Sequence, residues 1–270
     1  MVLLKLHAAG FNRRDEWSMI GAYPGLTFPS TMGCDGVGSI EGDDSGRLYL
    51  IVPTRGWESD PDGPEAEVPG APPHVVSNKL GGKGFGILGQ TKPTGGQGTF
   101  VEYIEVEKDQ LVPVPSHLSA VQAAALPCGG VTAFRALFTK GRVTKGQNVL
   151  ITGIGGGVAL LALRLALAAG ANVFVTGGTQ DKVDKAVSFG AKAGAIYKDE
   201  KWPASIRGAL PKERPYLDVV IDSAGGSITA QCAKAGLRNG GRIVCFGMTA
   251  APKIDVTMRE VLKNVELLGE

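Results

Sequence analysis

The sequence predicts an α/β chain, with a strand-rich first part followed by a doubly wound parallel sheet. Three observations carry this. From Asn148 onward, apolar runs of strand length alternate with helical runs. Those strands are apolar along their whole length, as strands covered on both faces are. The first of them, "NVLIT", leads straight into the glycine run "GIGGG" at 153–157 and then into an apolar helix, the turn such a sheet places beside its ligand.

Taken in order, "VLLKLHA", "GVGSIE", "RLYLIV" and "TFVEYIEV" are strand candidates of the first part. Residues 54–98, which include "DPDGPEAEVPGAPP", read as a long irregular excursion rich in Gly and Pro. In "LVPVPSHLSAVQAAALP", Ser116 or Ser119 caps a short helix. The alternation then runs through "NVLIT", an apolar helix, "NVFVT", the helix "DKVDKAVSFGA" and the strand "GAIY". It continues through "PASIRGAL", "LDVVID", the helix "ITAQCAKAGL", "GRIVCFG" and finally "VELLG". No internal repeat is visible.

The 270 residues suit two domains or one large one, and 43% hydrophobic with 20% charged residues is an ordinary globular balance. A net charge of +2 provides no broad field for gripping nucleic acid or an anionic membrane, so neither partner is expected. Cys34, Cys128, Cys232 and Cys245 are scattered and form no CxxC, which argues for reduced thiols rather than a disulfide scaffold or zinc knuckle. The start "MVLLKLHAAGF" lacks a basic leader, so no signal peptide is expected. The apolar run after Gly157 is shorter than the roughly 20 residues a bilayer span needs. A cytoplasmic protein is the expectation.

The glycine run reads as a pyrophosphate turn. Glycine lets the backbone come close, and the following helix offers free N–H groups at its positive end. The GxGxxG frame starting at Gly153 and Gly155 puts Val158 in its third place; the frame Gly153, Gly156, Ala159 fits better, with Gly155 and Gly157 adding clearance. A dinucleotide site built for NAD usually ends its second strand on a carboxylate about 20 residues on. Here "VFVTGGTQDK" has Gly177, Gly178 and Thr179 at that place and then Lys182. Glycines, a hydroxyl and an ammonium accept a 2′-phosphate that a carboxylate would repel, so NADPH is the expected cofactor.

The order strand-rich region, "AAALPCGGVTAFRAL", "NVLITGIGGGVALLA", "DVVIDSAGG", "GRIVCFG" resembles the medium-chain dehydrogenase/reductase superfamily. Within it, "AAGFNRRDEW", "GAYPGLTFPSTMGCDGVG" and "GTFVEY" resemble the zinc-independent quinone oxidoreductase and enoyl reductase branch. The resemblance covers nearly the whole chain except about 57–84. It implies a GroES-like domain at 1–118 and a Rossmann NADP-binding domain at 119–270, with the active site in the cleft between them. It also implies that family chains extend further at both ends, so that this chain leaves sheet edges and apolar faces uncovered.

The resemblance assigns residues as well. The three catalytic zinc ligands of the superfamily's alcohol dehydrogenases correspond to Asn12, Cys34 and Cys128. Asn12 is a poor zinc ligand, Asp15 or Asp35 would have to substitute, and His7, His74 and His117 match no ligand place, so no metal is expected. Asn12 faces the nicotinamide end or caps the helix starting at Arg13. Tyr23, at the matching separation from Asn12, is the expected proton donor; its ordinary alternative is packing against "PGLTFP". Thr132 reaches the nicotinamide, Tyr197 lies near the adenine or 2′-phosphate, and Ser223, Phe246, Gly247 and Met248 line the cofactor cleft. Trp17, Met19, Tyr23 and Phe28 suggest a mainly apolar pocket. The implied function is an NADPH-dependent, zinc-free oxidoreductase passing hydride to an activated C=C, a quinone or a carbonyl of a small-molecule substrate. The alternatives are a zinc-dependent alcohol dehydrogenase and a non-catalytic NADPH-binding protein. Family members often dimerise through the last strand, which makes a homodimer an open expectation.

Overall fold

The computed structural model describes residues 1–23, 25–57, 60, 62–64 and 85–270. The chain divides into two units, Met1–Gly129 and Gly130–Glu270.

In the first unit, β1 (Val2–Gly10), β2 (Asp35–Ile40), β3 (Tyr49–Ile51), β6 (Tyr103–Val106) and β7 (Leu111–Pro113) form one sheet in the order β6-β1-β2-β3-β7. Every pairing in it is antiparallel. The two-residue strands β4 (Thr54–Arg55) and β5 (Gly86–Ile87) pair separately. Leu4, Cys34, Ile51, Leu88, Ile104 and Val106 make one buried cluster. A second forms where α2 (Ala120–Ala124) sets Ala123 and Ala124 against Val37. Ser119 is the cap of α2, accepting from the Gln122 N–H. Between these elements, α1 (Arg13–Met19) follows β1 directly.

The excursion was expected to be irregular across 54–98. Its described downstream part is ordered: β5 leads through a turn at Lys92–Thr94, and Leu88, Thr91 and Thr94 are buried. Its central stretch, including "AEVPGAPP" and His74, lies outside the described residues.

In the second unit, β8 (Asn148–Ile151), β9 (Asn172–Gly177), β10 (Ala193–Ile196), β11 (Leu217–Asp222), β12 (Leu237–Cys245) and β13 (Glu266–Gly269) form the order β10-β9-β8-β11-β12-β13. All five pairings are parallel. The order reverses between β8 and β11, and ligands of such sheets bind beyond the strand ends at that point.

The four central strands β8, β9, β11 and β12 each feed two cores. Val149 and Ile151 of β8, with Val219 and Ile221 of β11, join Ala159, Ala162, Leu163 and Ala166 of α4 (Gly157–Ala168). Leu150 and Val220 point the other way, to Trp202 and Ile206 of α6 (Trp202–Ala209) and Ile228 and Cys232 of α7 (Ile228–Lys234). Period-two alternation on a strand buried on both faces produces this division. Each buried Val, Leu or Ile among them stabilises the fold by about 1.5–3 kcal/mol.

The helix after the glycines starts at Gly157, one residue before Val158. That helix is apolar nearly all round, yet Leu160 is exposed, because the helix touches the sheet on one side only. It has 12 residues, and no helix among the described residues is long and apolar enough to cross a membrane.

Candidate functional site

At the end of β8 the chain turns through the glycines. Gly153 has φ +67° and donates its N–H to Thr176 Oγ1 at 3.3 Å. A Cβ on Gly153 would lie 2.9 Å from Ser223 Oγ. Gly155 has φ +132°, and a Cβ there would lie 2.9 Å from Lys182 Cδ. Only glycine adopts these angles without strain. Gly156 caps α4, while Gly157 opens onto free space. The first N–H groups of α4 have no intrahelical acceptors, leaving donors and a positive dipole end beside an exposed glycine edge. Val158 is half-buried and Ala159 faces the core.

The end of β9 lies beside this turn. Gly177 leads through Gly178 to Thr179, which caps α5 (Gln180–Ser188). Lys182, on the first turn of α5, lays its side chain along Gly155. Tyr197, just after β10, donates its N–H to the Gly177 carbonyl at 3.0 Å, and its hydroxyl lies against Gly178. An ammonium thus lies along the glycine turn and a phenol against Gly178 at the end of β9, and no carboxylate occupies 176–179.

The end of β11 supplies the other wall. Asp222 is fully buried. Its Oδ1 accepts from Thr152 Oγ1 at 2.6 Å, and its Oδ2 accepts from the Ala224 and Gly225 N–H groups at 3.1 and 2.8 Å. Thr152 in turn accepts the Ser223 N–H at 3.1 Å. Burial pushes the Asp222 carboxyl above its ordinary value, against the opposing pull of these hydrogen bonds. The Ser223 carbonyl accepts from Thr249 N–H and Oγ1, and the Phe246 N–H bonds the Asp222 carbonyl at 3.0 Å. Ser223, Phe246, Gly247 and Met248 therefore follow the ends of β11 and β12, and a Cβ on Gly247 would lie 3.0 Å from the Ser223 carbonyl. Asp222 was overlooked in the sequence; a carboxylate closing the apolar run "LDVVID" was the available signal. Thr132 is half-buried on α3 (Pro127–Phe134).

In the first unit, Asn12 caps α1, and its backbone N–H is satisfied by Asp15 Oδ2 at 2.7 Å. Its side-chain amide donates to Cys34 Sγ at 3.3 Å and to Asp35 Oδ2 at 3.0 Å. Cys34 Sγ donates to Asp35 Oδ1 at 3.7 Å, and the same oxygen accepts the Cys128 N–H at 2.8 Å. The ligand atoms of Cys34, Asp35 and Cys128 all lie within 4.8 Å of one another. The Cys128 thiol beside it and burial push the Cys34 thiol far up, and burial also raises the Asp35 carboxyl. His7 hydrogen-bonds Ser39, away from this group in register.

Tyr23 is half-buried just beyond α1, with the Arg14 guanidinium 4.6 Å from its ring centroid. Arg14 is itself buried and donates to the carbonyls of Leu88 and Gly89. It ties α1 to the segment after β5, a link that nothing in "NRRDEW" announces. Met19 and Phe28, expected to line an apolar pocket, are 75% and 70% exposed. Phe11 packs on Phe100, ring centroids 4.9 Å apart.

Residues 157–269 match the family described as zinc-binding dehydrogenase. The chain is 40% identical to the zinc-type alcohol dehydrogenase-like protein YogA of Leptosphaeria maculans, over 99% of this chain and 74% of that one. A quinone oxidoreductase of Mus musculus is 27% identical over 99% of this chain and 70% of its own. Among solved structures, an NAD-dependent alcohol dehydrogenase matches with TM-score 0.79 and 28% identity, over 99% of this chain and 76% of the other. The quinone oxidoreductase of Thermus thermophilus, solved also in complex with NADPH, matches with TM-score 0.73 and 25% identity, over 100% of this chain and 71% of the other.

Proposed function

We propose an activity for a chain that belongs to the medium-chain dehydrogenase/reductase superfamily: an NADPH-dependent reductase that passes hydride to an activated C=C bond, a quinone or a carbonyl without using zinc. In this reading residues 1–118 carry the substrate groups and residues 119–270 hold the cofactor. The observation that carries it is the carboxylate-free end of β9, where Lys182 lies on Gly155 and Tyr197 on Gly178.

The glycine turn and the free N–H groups of α4 suit a pyrophosphate, and Lys182 with the Tyr197 hydroxyl suits a 2′-phosphate. Bound NADPH supplies the hydride. The protein's own part is to position and polarise. The Tyr23 phenol donates a hydrogen bond to the substrate carbonyl as enolate charge develops, or passes a proton to carbon. Stacking on the buried Arg14 holds its ring in one orientation.

Zinc independence is supported by the donor set. The Asn12 amide presents N–H to both Cys34 Sγ and Asp35 Oδ2, where a zinc ion would need lone pairs from all its ligands. Both Asp35 oxygens already accept hydrogen bonds. This donor set supports a zinc-free reading.

Purified protein is expected to oxidise NADPH when offered an enone or an ortho-quinone. Tight NADPH binding with no oxidation across a broad acceptor panel overturns the catalytic reading; stoichiometric zinc that turnover requires overturns the zinc-free one. Lys182→Glu is expected to weaken NADPH binding about 30-fold by replacing a charge-assisted contact with repulsion, while NADH binding changes little. Isothermal titration with both nucleotides measures this, and an equal loss for both removes the assignment of Lys182 to the 2′-phosphate.

A further inference from the structure

We propose that Cys34 and Cys128 are a modification site: a hydroperoxide converts the pair into an intramolecular disulfide, and a small thiol reductant reverses it. The proposal stands on the geometry of the first unit and does not depend on the activity proposed above.

The two sulfurs lie within 4.8 Å of each other although the residues come from distant parts of the chain. Cys34 stands at the head of β2 and Cys128 in the first turn of α3. Forming a bond of about 2.05 Å requires the two sulfurs to close the remaining distance. Their exposures differ in a useful way. Cys34 is fully buried, while Cys128 is half-buried and accessible to a small oxidant. Reagents therefore meet Cys128 first.

The chemistry balances in two steps. The Cys128 thiol attacks the distal oxygen of the hydroperoxide; its sulfur is oxidised to a sulfenic acid, the O–O bond breaks, and water or an alcohol leaves. Cys34 sulfur then attacks the Cys128 sulfenic sulfur; the S–S bond forms, the S–O bond breaks, and water leaves. In the second step the Cys34 proton must go somewhere. Asp35 Oδ1 already accepts it at 3.7 Å. The Asn12 amide, donating to both Cys34 Sγ and Asp35 Oδ2, keeps the sulfur and its base side by side. Cys232 and Cys245 belong to the second unit, where desolvation pushes both thiols up, and they have no part in this arrangement.

The test uses the full chain, freed of metal by a chelator and reduced beforehand. It is treated with hydrogen peroxide, alkylated with iodoacetamide, digested and mapped by mass spectrometry. The expected result is a peptide pair joining Cys34 to Cys128 in most molecules, two free thiols lost per chain, and recovery of both after dithiothreitol. In Cys34→Ser the same treatment should instead drive Cys128 to the sulfinic acid, because its partner is gone. Wild-type protein in which Cys128 reaches the sulfinic acid while Cys34 remains alkylatable overturns the proposal. So does wild-type protein whose four thiols stay unmodified at peroxide concentrations that oxidise free cysteine. The wild-type map is decisive by itself, so a variant that fails to fold leaves the test intact. Loss or retention of NADPH oxidation is read separately and bears only on the proposed activity.

Discussion

Tyr23→Phe is expected to lower turnover of an enone by roughly 100-fold while leaving NADPH affinity unchanged. The substitution keeps the aromatic ring that the Arg14 guanidinium covers at 4.6 Å and removes only the hydroxyl. Packing around α1 is preserved, so a loss in activity reports on the hydrogen bond or proton that the phenol provides. Steady-state kinetics with NADPH binding measured by fluorescence make the separation. Turnover within about threefold of wild type would return Tyr23 to a packing role against the neighbouring apolar turn, because a positioned acid contributes more than that. Since Arg14 also holds the Leu88 and Gly89 carbonyls, a parallel loss of thermal stability in Tyr23→Phe would mark a structural effect instead.

Asp222→Ala is expected to destabilise the second unit by about 3 kcal/mol or more at neutral pH. The alanine leaves the Thr152 hydroxyl and the Ala224 and Gly225 N–H groups without their acceptor, and each orphaned buried donor costs roughly 1 kcal/mol or more. Urea unfolding followed by circular dichroism measures the change. The pH dependence has a definite sign. Burial raises the folded-state value of Asp222 above its ordinary 3.8. Its contribution is therefore fully present below the unfolded value and diminishes as pH rises through the raised folded one. The advantage of wild type over Asp222→Ala should be largest in acid and narrow toward neutrality. An advantage that grows as pH rises would mean that the hydrogen bonds outweigh burial and hold the carboxyl below its ordinary value.

Much of the second unit was legible from pattern. "NVLIT", "NVFVT" and "LDVVID" are continuous apolar runs because both faces of a parallel sheet are covered, and each became a strand with alternate residues in two cores. The glycine turn was legible for the same local reason: positive φ at Gly153 and Gly155 is a demand that one residue type meets. The first unit was less so. The two-residue strands β4 and β5 are too short to show a period, and the ordered part after β5 is held by a side chain from α1.

The residue pattern alone fixes the order of the strands in the second unit, the place of the glycine turn and the lack of a carboxylate at the end of β9. Hydrophobic period and backbone dihedral demands are written residue by residue, and neighbouring positions are enough to read them. Tertiary structure alone decided that Lys182 lies on Gly155, that Asp222 gathers Thr152 with two backbone N–H groups, that Arg14 reaches the Leu88 and Gly89 carbonyls, and that Cys34, Asp35 and Cys128 meet around the Asn12 amide. Each of these contacts joins residues brought together only when whole elements pack. A buried polar group takes whatever partner that packing delivers, because leaving it unpaired costs more than any local preference it satisfies.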